Sequence, residues 1–94
     1  MRAQYRWVIT KDHISEDGEE TIVGVRGPLN ADDNLKSNPQ HFSVYDDDEN
    51  CYAEGMLYAT DAAKDYETAC FGPLDDYARP ALGCTDIKIN GKWM

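Results

Sequence analysis

HFSVYDDDENCYAEGMLYA, residues 41–59, places two apolar, aromatic-rich runs on either side of an acidic block, Asp46-Asp47-Asp48-Glu49, closed by Asn50. Phe42 and Val44 alternate with Ser43 and Tyr45. Beyond the block, Tyr52, Glu54, Met56 and Tyr58 alternate with Cys51, Ala53, Gly55, Leu57 and Ala59. A period of two is the mark of a strand with one buried face. The stretch therefore predicts a central β-hairpin with a charged turn, its small and apolar residues inward. Gly55 marks a bulge or a close backbone approach.

The flanks extend this reading. Tyr5, Trp7 and Ile9 alternate with Arg6, Val8 and Thr10 and predict a first strand with the first-named three residues facing the core. Thr21–Val25 is short and β-branched, a second strand stopped by Gly27-Pro28. Residues 30–37 read as one or two helical turns or an ordered loop, and Thr60–Asp65 as a helix start. Gly72-Pro73 and Arg79-Pro80 read as breakers, so Phe71–Gly83 is expected to be a compact loop. Thr85, Ile87 and Ile89 alternate as a strand, and Asn90-Gly91 is a strong hairpin signal that turns Lys92-Trp93-Met94 back along it. The expectation is one α+β domain over residues 1–94, mainly an antiparallel sheet of about five strands with one or two short helices.

Composition bounds function. Nine Lys and Arg face eighteen Asp and Glu, a formal net charge of −9. Phosphate-backbone and anionic-membrane binding need clustered cations, so neither nucleic acid nor a membrane is an expected direct partner. A basic protein fits better. Three cysteines without a CxxC pair give no zinc-ribbon spacing, and no signal peptide or membrane-length apolar run is visible. A reduced, cytoplasmic protein follows.

Chemical motifs fail in turn. An EF-hand loop from Asp46 needs glycine where Cys51 stands and glutamate where Leu57 stands. No phosphate-binding glycine loop occurs. His13 or His41 could approach Cys51, Cys70 or Cys84 as a Cys/His enzyme or ligand-binding pair, yet no local signature surrounds these cysteines. Adjacent carboxylates such as Asp75-Asp76 point to opposite faces of any strand and do not define an acid–base pair. No catalytic residue, metal or cofactor is expected.

Charge distribution is the remaining signal. Residues 15–25 hold four acids and 42–54 hold five, with no Lys or Arg in either segment. Such loops could form a negative surface that competes for a cationic groove. Tyr45, Asp46, Asp47, Asp48, Glu49, Tyr52, Asp75, Asp76 and Tyr77 are the expected partner-binding residues.

Phe71–Pro80, Gly83-Cys84-Thr85 and Trp93, with Val44–Asp48 and Trp7–His13, resemble small acidic uncharacterised proteins of bacterial chromosomes and mobile elements. In size and acidity the chain is also similar to phage-encoded anti-CRISPR proteins, several of which mimic DNA. The second likeness implies an inhibitor that blocks a basic nucleic-acid-binding surface, in a nuclease complex for instance. The alternatives are the Cys/His enzyme or ligand binder, and a structural accessory protein read through an apolar sheet face.

Overall fold

A computed structural model describes residues 5–16, 18–28, 39–59 and 66–94, with backbone only for 66–69. Among these, six strands form one antiparallel sheet: β1 (Tyr5–Asp12), β2 (Arg26–Gly27), β3 (Gln40–Tyr45), β4 (Cys51–Ala59), β5 (Asp86–Ile89) and β6 (Lys92–Trp93), in the order β2-β1-β4-β3-β5-β6. The central hairpin is β3–β4, and β4 lies between β1 and β3.

One face of the sheet builds the core. Trp7 and Ile9, Phe42 and Val44, Ala53 and Leu57, and Ile87 and Ile89 are buried there with Cys70, Leu74, Ala78 and Cys84. Trp7 meets Phe42 edge-on at 6.4 Å between ring centroids and lies 5.7 Å from Tyr77. The cover is helical: α1 (Tyr66–Pro73) runs on into a wider π-helical segment, Leu74–Leu82.

That helix corrects the loop expected over Phe71–Gly83. Cys70, Leu74 and Ala78 recur every four residues and are almost fully buried, a helical stripe overlooked beside the Gly-Pro pair. Pro73 takes ordinary right-handed helical angles, φ −57° and ψ −34°, since proline's fixed φ suits a helix wherever its missing N–H is tolerated. Gly72 serves packing: a Cβ there would strike the ring of Tyr5, so its absence lets the helix settle on β1. The segment ends where Gly83 N–H bonds Arg79 O at 3.2 Å and Cys84 N–H bonds Ala78 O at 3.1 Å, a helix-closing pattern.

The second strand is also displaced. Residues 21–25 form a turn, and the pairing with β1 falls on Arg26 and Gly27. The Asp12 carboxylate holds the preceding loop in place. It accepts bonds from the N–H groups of Ile14, Ser15 and Ile22 and from the Thr21 hydroxyl, at 2.9–3.0 Å. The C-terminal hairpin forms as expected, with Asn90 and Gly91 at φ 51° and 80°. The helical readings of residues 30–37 and of Thr60–Asp65 fall outside the described residues, which begin again at Pro39 and Tyr66.

Two bulges flank β4. Thr10 is the extra residue between Ile9↔Gly55 and Lys11↔Glu54, and Tyr52 is the extra residue between Val44↔Ala53 and Tyr45↔Cys51. Each flips the alternation beyond it. Cys51 thus leaves the inward set predicted from its spacing and joins the second, polar face of the sheet. No described helix is long and apolar enough to cross a membrane.

Candidate functional site

Strand direction gathers the acids at one end of the sheet. The β3–β4 turn lies there, as does the end of β1, where Asp12 pairs with Ala53 and His13 N–H bonds Tyr52 O at 3.0 Å. So does the start of β5, where Asp86 pairs with Tyr45. Asp47, Asp48, Glu49, Asp86, Glu16, Glu19 and Glu20 are all exposed. Three segments distant in sequence therefore share one acidic edge, flanked by Lys11 and Lys88. Arg6, Arg26 and Lys92 pair with Tyr58, Val8 and Ile89, toward the opposite end.

The expected site residues divide between this edge and other tasks. Asp46 shapes the turn: its carboxylate accepts the N–H groups of Asp48 and Asn50 at 2.9 Å and the Asn50 side-chain amide at 3.1 Å. Those Asn50 bonds hold its carboxyl below the ordinary aspartate range. Asp47, Asp48 and Glu49 are the residues that project. Tyr52 lies on the helix side of its bulge, next to Asp46, whose negative charge and hydrogen bond push the phenol upward.

Asp75 and Asp76 stand apart from the edge. Asp75 pairs with Arg79 at 3.4 Å. Asp76 accepts the Tyr5 hydroxyl at 2.7 Å and the Trp7 indole N–H at 3.2 Å, tying the π-helical segment to β1. Burial first, and then Asp76, drive the Tyr5 phenol far above its usual value. Tyr77 stacks beside Trp7, and with Asp76, Arg26 and Pro28 it lines a groove of about 450 Å³. Tyr45 sits on the polar face, its ring 4.9 Å from Trp93, with the Lys88 ammonium 4.5 Å from the Trp93 ring. The three tyrosines thus occupy three different surroundings.

The polar face carries a constellation that sequence spacing hides. Glu54, central on β4, bridges two histidines. Its Oε2 lies 2.6 Å from His13 Nε2 and its Oε1 2.9 Å from His41 Nε2. The hydrogen bond to His13, reinforced by that to His41, holds the carboxyl below its ordinary range against a smaller opposing effect of burial. Cys51 completes the group: ligand atoms of His13, Cys51 and Glu54 all lie within 4.8 Å of one another. The Thr10 bulge places His13 on this face and the Tyr52 bulge places Cys51 there. His41 reaches Glu54 along the diagonal of the β3–β4 pair. Only that last relation was readable from alternation.

The Cys51 thiol is not primed for attack. It donates to Ala53 O at 3.7 Å, and burial, then the Glu54 charge, push its pKa up. An activated nucleophile needs the opposite shift. Cys84, buried in the core, is pushed up to about 11 by burial first.

No family model matches the chain, and no curated protein or solved structure matches it either.

Proposed function

We propose that this protein is a non-enzymatic binding module that presents its acidic edge to a basic, nucleic-acid-binding protein in the cytoplasm and occludes the groove meant for nucleic acid. One observation carries the reading: acids from the β1–β2 loop, the β3–β4 turn and the start of β5 converge at one end of the sheet. A row of negative charge on a rigid support steers association with a cationic groove and fixes its orientation. Asp47, Asp48 and Glu49 supply the projecting charge, and Asp46 holds their turn in shape. An anti-CRISPR or other anti-defence inhibitor is the most concrete form of this role. Three cysteines with no disulfide among them suit a reducing compartment.

The experiment is competition. The protein is used to capture partners from a bacterial lysate, and a fluorescent double-stranded DNA is bound to the purified partner. Addition of the acidic protein should release the DNA, and less so as salt rises. Capture that is indifferent to both salt and DNA would place recognition on an apolar surface and reject charge mimicry.

A further inference from the structure

We propose that His13, Cys51 and Glu54 form a three-ligand site for a zinc-class divalent cation on the polar face of the sheet, with His41 positioning the Glu54 carboxylate. The site is independent of the acidic edge and lies inward from it. Three different donor types meet here: an imidazole nitrogen, a thiol sulfur and a carboxylate oxygen, mutually within 4.8 Å. Tetrahedral zinc, with bonds of about 2.0–2.3 Å, sets its ligand atoms roughly 3.3–3.8 Å apart. The cluster therefore has to contract by only about an ångström at its widest. His13 and Glu54, now 2.6 Å apart, hydrogen-bond directly, and the cation takes the place of that bond as the pair opens to the tetrahedral spacing.

The donor set also selects the ion. Calcium and magnesium take oxygen ligands, whereas mixed nitrogen, sulfur and carboxylate donors suit zinc and its neighbours. The other carboxylate group, Asp46 to Asp48, has only oxygens to offer, and the Asp46 carboxylate is already engaged by Asp48 and Asn50. Glu54 is oriented before any ion arrives. His41 Nε2 lies 2.9 Å from Oε1, which leaves Oε2 directed at His13, the arrangement by which an outer partner fixes a metal-bound carboxylate. The thiol must lose its proton to ligate the cation, so binding releases protons to solvent. Three protein ligands leave the fourth position to water or to an outside donor.

Cobalt(II) and zinc titrations of the full chain test the assignment. One equivalent of Co²⁺ should give visible d–d bands and a near-ultraviolet thiolate-to-cobalt charge-transfer band, and Zn²⁺ should displace both. Cys51→Ser should abolish the charge-transfer band, and His13→Gln, at an exposed position, should strongly weaken binding. His41→Gln should retain the band and weaken affinity by about 10–100-fold. Asp48→Asn should change nothing. No charge-transfer band at one equivalent, or a band that survives Cys51→Ser, would overturn the proposal.

Discussion

On the helix-covered face of the sheet, Trp7, Ile9, Phe42, Val44, Leu57 and Ile87 interlock with Cys70, Leu74 and Ala78, and almost none of their surface meets water. On the polar face the same strands pair charges and rings: Arg6 over Tyr58 at 4.0 Å, Lys88 beside Tyr45 and Trp93, and His13–Glu54–His41 across β4. The first face stabilises by apolar burial, which is large and indifferent to pH. The second contributes contacts that are individually small, yet it collects the groups able to bind, titrate or coordinate. Fold and chemistry are thereby separated onto opposite sides of one sheet, and substitutions should reveal the division.

The largest effects belong to the covered face. Phe42→Ala should cost about 3–5 kcal/mol in urea unfolding. Gly55→Ala should be of similar severity, because a Cβ there runs into the Val8 carbonyl and the Phe42 ring. Glu54→Gln, opposite them on the polar face, should cost about 0.2–1 kcal/mol, as partly exposed polar pairs do. A loss in Glu54→Gln rivalling that of Phe42→Ala would erase the distinction between the faces.

Next come the turn carboxylates. Hydrogen bonds led by the Ser15 hydroxyl hold Asp12 far below the ordinary aspartate value of 3.8, and those from Asn50 lower Asp46. As pH falls past 3.8 the unfolded chain takes up protons that the folded one resists. Their contribution is therefore complete above that value and fades as pH drops toward the folded values. Asp12→Asn should lower the thermal midpoint at neutral pH and flatten the acid limb of a stability–pH curve. An unchanged acid limb would show that the caged carboxylate does not act on stability.

A modest effect is expected at Trp93. Half-exposed beside Tyr45 and Lys88, it should cost about 0.5–1.5 kcal/mol on Trp93→Ala, seen as a modest shift in the denaturation midpoint.

How far the residues foretold this arrangement depends on the kind of signal. Alternation exposed Phe42/Val44, Trp7/Ile9 and Ile87/Ile89 as inward pairs, and Asn90-Gly91 announced its own turn. The helix was obscured because Gly72 and Pro73 look like breakers, whereas one admits the Tyr5 ring and the other lies where a proline is tolerated. The bulges at Thr10 and Tyr52 were invisible, since an extra residue appears only when two strands are paired. With them went the meeting of His13 with Cys51. The acidic edge was legible as charge, but the engagement of Asp46 by Asn50 and of Asp76 by Tyr5 and Trp7 depends on contacts within a turn and between helix and strand that composition does not encode.

The most direct test of the acidic edge is the affinity of a captured partner for the wild-type protein and for the triple reversal D47K/D48K/E49K, which spares the turn-forming Asp46. The account predicts salt-sensitive binding by the wild type. It predicts loss of binding in the reversal, with an unchanged circular dichroism spectrum and melting curve. A folded triple variant that holds the partner as tightly as the wild type would contradict it.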